Sequence, residues 1–175
     1  MSNFNFQILF ISIIFIAVSL TACKVATSQV SETQFSIYKK AYNTILNNKE
    51  LMKGTANSQM PKVSREIISF GNYAQFFEDE LLNSSNFSVQ EMLFDSLIVG
   101  VNYKLENIGS SRGTKAVLFF SNLKKGFFFA EFFSDFPGNR FRFEERPNFG
   151  ESRVFLFEVN GKDLLLIDSK ALAYN

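Results

Sequence analysis

Phe127-Phe128-Phe129-Ala130-Glu131-Phe132-Phe133 is the stretch whose reading decides the fold. Successive side chains on a strand point to opposite faces, so phenylalanines at consecutive positions load both faces at once. A strand of that kind is covered on both sides. Helices are expected over one face; a curled sheet, a partner or an apolar ligand is expected over the other. Glu131 interrupts the run. A buried carboxylate without a partner is costly or takes up a proton. Three readings follow for Glu131: an ion pair with an Arg on a neighbouring strand, a gatekeeper against aggregation, or an acid–base group with a raised pKa.

Turn signals surround this segment. Gly109-Ser110-Ser111-Arg112-Gly113, Asn122-Leu123-Lys124-Lys125-Gly126, Pro137-Gly138, Pro147-Asn148-Phe149-Gly150 and Asn160-Gly161 separate apolar runs. They predict strands over 97–106, 114–121, 126–134, 139–145, 152–159 and 163–168. Asn160-Gly161 is the strongest hairpin signal, because both residues tolerate the positive φ of a type I′ turn. Connections this short join antiparallel neighbours. Residues 97–106 also fit a helix, with Leu93, Leu97, Val101 and Leu105 on one face.

Upstream the period changes to that of helices. Ser31-Glu32-Thr33-Gln34 has capping-box spacing, and Tyr38, Ala41, Tyr42 and Ile45 share a helical face. Residues 54–60 read as a loop. Pro61 is placed to open a second helix, and Val63, Ile67, Phe70, Ala74, Phe77 and Leu81 step by four and three along it. Asn83–Asn86 reads as a turn. Ser88 and Glu91 give a second capping box before a short helix over 88–95. The predicted class is α+β: two or three N-terminal helices packed on an antiparallel meander of five to six strands.

The N-terminus carries a separate message. Ile8 to Leu20 is an uncharged apolar run, shorter than the roughly 20 residues of a spanning helix and within the range of a signal-peptide core. It leads into Leu20-Thr21-Ala22-Cys23, which resembles the lipobox of bacterial lipoproteins. Met1 to Gln7 departs from the signal pattern in having no Lys or Arg. The resemblance covers the leader and Cys23 alone. It implies a diacylglycerol thioether on Cys23, cleavage before it, and anchoring in a lipid bilayer of the bacterial cell envelope. Lys24 after the cysteine favours the outer membrane where one exists. The expected organisation is a signal peptide over 1–22, a lipidated cysteine and tether over 23–30, and a single α+β domain over 31–175. Extended, residues 24–30 reach on the order of 25 Å, so the domain is expected close to the bilayer.

Composition narrows the chemistry. The 175-residue chain has no histidine and one cysteine, with 18 basic and 17 acidic side chains. The usual general base and the commonest metal ligand are therefore missing, and no intrachain disulfide forms. Near-neutral charge gives no nucleic-acid signature. No metal-ligand spacing, phosphate-binding glycine loop or dinucleotide fingerprint occurs, and no cofactor is expected. Arg140 and Arg142, on one face of the expected strand 139–145, with Arg146 and Arg153 beside the next turn, form a candidate anion-binding cluster. The opposing reading is a solvated sheet face with ion pairs. The sequence thus points to a non-enzymatic binding module with an envelope protein or polymer as partner. The alternative is a carrier or sensor of an apolar ligand held between the Phe-rich sheet and the helices.

Overall fold

The computed structural model describes residues 31–48, 60–84, 87–92, 97–110 and 113–174. The leader, Cys23, the tether and most of the expected loop 54–60 lie outside them. The first helix, α1 (Glu32–Asn47), begins where the capping box places it: the Ser31 hydroxyl accepts a hydrogen bond from the Gln34 amide. Its apolar stripe of Ile37, Tyr38, Ala41, Tyr42 and Ile45 is buried.

The next segment departs from the sequence reading. Residues Lys62–Ile68 form a strand, β1, and only from Gly71 does the chain turn helical, as α2 (Gly71–Ala74), a 3-10 turn (Gln75–Phe77) and α3 (Glu78–Ser84). The four-three stepping of apolar residues holds from Phe70 to Leu81. Before it, Val63 and Ile67 belong to one core cluster and Ile68 to the other, as on a strand buried on both faces. Their branching at Cβ favours the extended form.

The remaining strands are β2 (Ile98–Val101), β3 (Val117–Ser121), β4 (Phe127–Phe133), β5 (Gly150–Asn160) and β6 (Asp163–Tyr174). Together with β1 they make one six-stranded sheet of order β2-β1-β3-β4-β5-β6. The fold is α+β, as expected, but the sheet is mixed and not a pure meander. β3 to β6 run as an antiparallel meander, whereas β1 is inserted between β2 and β3 and lies parallel to β3. Residues 97–106 divide into β2 and a 3-10 turn over Tyr103–Asn107. The β5–β6 hairpin turns on Gly161 and Lys162, with Asn160 paired to Asp163. Of the turn residues only Gly161 has positive φ, at 63°, the pattern of a turn with glycine at its first central position.

Residues 139–145 form no strand. β4 already has β3 and β5 on its two edges. The chain leaving β4 therefore crosses the sheet face as a strap, with Phe141 at φ 51° and a 3-10 turn over Phe143–Glu145. Two side chains of β1 hold the strap. The Ser64 hydroxyl donates to the Phe141 carbonyl at 2.8 Å, and the Phe143 amide donates to a Glu66 carboxylate oxygen at 2.7 Å.

Both faces of β4 are covered by the chain itself, and the helices divide between them. On one face Phe128 meets Tyr38 of α1 and stacks on Phe157, with ring centroids 5.2 Å apart in both cases. On the other, Phe129 lies against Phe70, Tyr73 and Phe77 at 4.7, 5.5 and 5.2 Å. Aromatic rings of the protein thus pack between the Phe-rich strand and the helices on both faces. We expect Phe129→Ala to cost about 3–5 kcal/mol in urea denaturation. Phe149→Ala, at a side chain 79% exposed, is expected to change stability by less than about 0.5 kcal/mol.

Candidate functional site

Glu131 lies on the β4 face that carries Phe127, Phe129 and Phe133, and it is fully buried. Among the described residues no Arg or Lys pairs with it; three hydroxyls do. Tyr73 of α2 donates to one carboxylate oxygen at 2.6 Å. Ser152 of β5 donates to the other at 2.5 Å, and Tyr174 at the end of β6 donates to that same oxygen. Burial pushes the Glu131 pKa up. The three hydroxyl bonds and the nearby Arg146 charge work in the opposite direction without cancelling it. Burial, reinforced by the Glu131 charge, raises both tyrosines as well, so they remain proton donors at neutral pH.

The two phenol rings separate this carboxylate from a solvent-open cleft of about 610 Å3. Asn72 and Phe76 of the broken helix form one wall, Val89 and Met92 another, and Phe143, Arg146 and Leu172 a third, with Tyr73 and Tyr174 also lining it. The Arg146 guanidinium sits over the Phe143 ring at 4.5 Å and over the Tyr174 ring at 6.0 Å. Apolar surface thus surrounds one oriented cation, with exposed Glu78 as the acidic residue of the lining. Among the described residues no group of His, Cys, Asp and Glu is placed to hold a metal. No described helix is long and apolar enough to cross a membrane.

The four candidate arginines are not brought together. Arg146 lines the cleft just described. Arg142 lies 3.4 Å from Glu144 at the surface. Arg140 lines a different cleft, beside β1. Arg153 pairs with Phe132 across the sheet and so faces the α1 side, opposite Arg146. They scatter because 139–145 is a strap and gives no common strand face. Tyr73, Ser152 and Tyr174 were not singled out from the sequence. Tyr73 carries a legible signal, three residues after Phe70 on the same helical face. Ser152 and Tyr174 carry none, since only the β4–β5–β6 pairing brings them to Glu131. Comparisons with protein-family models, curated proteins and solved structures return no match for this chain.

The raised Glu131 pKa fixes the sign of a pH effect. The folded protein holds this proton more tightly than the unfolded chain. The associated stability is complete below the ordinary carboxyl range and is lost as pH rises through the folded-state pKa. We expect the stability difference between wild type and Glu131→Gln to move in favour of the variant from about pH 4 to about pH 8. Denaturation curves whose difference does not change over that range would contradict a raised pKa.

Proposed function

We propose that the chain is an exported lipoprotein of the bacterial envelope, held by acyl chains on Cys23, whose folded domain is a non-enzymatic binding module. The leader and its Leu20-Thr21-Ala22-Cys23 ending support the anchor. Two or more acyl chains hold a protein stably at a bilayer, where one holds it marginally. Lys24 favours the outer membrane of a Gram-negative envelope.

The observation that carries the binding reading is the contrast between a filled core and an open apolar cleft. A carrier needs an enclosed cavity, and the space beside β4 is occupied by the protein's own rings. The apolar lining instead faces solvent, with Phe76 41% and Val89 59% exposed. The oriented Arg146 among aromatic rings suits a carboxylate. The partner that fits is an envelope protein offering an apolar segment beside an acidic group. A buried Glu131 engaged by three hydroxyls supports a structural role for that residue.

One experiment in cells covers both halves of the reading. A photoreactive side chain at Gln75 in the cleft wall is expected to capture one envelope partner. Val89→Asp should abolish that adduct with no change in melting temperature. Cys23→Ala should abolish lipid labelling and release the domain from the membrane. Adducts insensitive to Val89→Asp would overturn the cleft, and labelling that persists without Cys23 would overturn the anchor.

A further inference from the structure

A second cleft, of about 450 Å3, lies on the β1 side of the molecule and is lined by Lys62, Arg65, Glu106, Ser110 and Arg140. Three basic residues and one acidic residue share that lining. Among the described residues, none of the three enters an ion pair. Two of them are oriented by aromatic rings: Lys62 sits over Phe141 at 4.6 Å, and Arg65 over Tyr103 at 5.1 Å.

The third cation is delivered by strained backbone. Phe141 has φ 51°, a left-handed conformation that a residue with a Cβ rarely adopts. The Ser64 and Glu66 bonds to Phe141 and Phe143 hold it there and set Arg140 in the wall of the same cleft as Lys62. Backbone strain held in place by buried hydrogen bonds is a feature of ligand-holding segments. Three basic residues outnumber the single acidic residue of the lining, Glu106, and that excess of positive charge favours an anion in the cleft.

We propose that this cleft binds a phosphate group. A phosphate offers several acceptor oxygens, which two guanidinium groups and one ammonium satisfy together, the guanidinium groups in bidentate fashion. A volume of about 450 Å3 exceeds what the bare ion fills, so a phosphate ester also fits. The site is separate from the Arg146 cleft and stands or falls independently of it.

The test uses the full chain in zwitterionic micelles, reading the side-chain Nε–H signals of Arg65 and Arg140 by NMR. Three probes are titrated at constant ionic strength: inorganic phosphate, acetate, and micelles doped with phosphatidylglycerol. A saturable shift with inorganic phosphate identifies the free ion as a ligand. A shift with phosphatidylglycerol alone identifies a lipid headgroup. Either supports the site, provided that Lys62→Gln with Arg140→Gln weakens binding at least about tenfold and Arg146→Gln does not. Exposed Glu106 is the acidic residue of the lining, so Glu106→Gln should tighten binding several-fold; this variant keeps the test decisive if the double variant unfolds. No saturable shift with either phosphate probe, an equal response to acetate, or binding unchanged in both the double variant and Glu106→Gln would overturn the proposal.

Discussion

The packing of Phe127–Phe133 on both faces and along both edges governs what every other segment must do. β3 and β5 take the edges of β4, so no later strand has a place beside it. Two faces of phenylalanine need two layers of cover. One helix cannot supply both, and the chain accordingly places α1 on one side and residues 71–84 on the other. Where those helices end, the strap over 139–145 continues the cover. It inserts Phe143 against Phe119 and Tyr73, with ring centroids 5.2 and 6.3 Å apart.

The same constraint explains Glu131. On a strand covered on both sides its carboxylate has no route to water, and desolvation raises its pKa. Three hydroxyls from three elements converge on it. A hydrogen-bonded network of this kind fixes relative positions, since leaving any buried member unpaired is costly. Glu131 thereby ties α2, β5 and the end of β6 to β4. Tyr73 and Tyr174 present their ring surfaces to the cleft while their hydroxyls face inward, so the cleft wall is rigid where it meets the core. The proposed binding surface is in this sense a by-product of satisfying one buried charge.

Local signals in the sequence were legible where local physics decides the structure. The Ser31 cap, the two-sided burial of β4 and a tight hairpin after Asn160 all depend on residues a few positions apart. Non-local pairing was not legible. The stripe through Val63 and Ile67 fits a helix and a doubly buried strand equally well, and only the parallel partner β3, more than fifty residues away, selects the strand. Alternation in Arg140-Phe141-Arg142-Phe143 suggests a strand, but the β4 edges were already occupied. The sequence grouped Arg140 with Arg146, whereas their separation into two clefts follows from the strap.

Native-state hydrogen exchange on the full chain tests the central claim most directly. If β4 is enclosed on two faces and two edges, the amides of Phe128 to Phe132 should open only with global unfolding. Their protection should then equal the stability measured by denaturant and exceed that of β2 at the sheet edge. Exchange of the β4 amides at the rate of Ile98–Val101 in the folded protein would contradict the account.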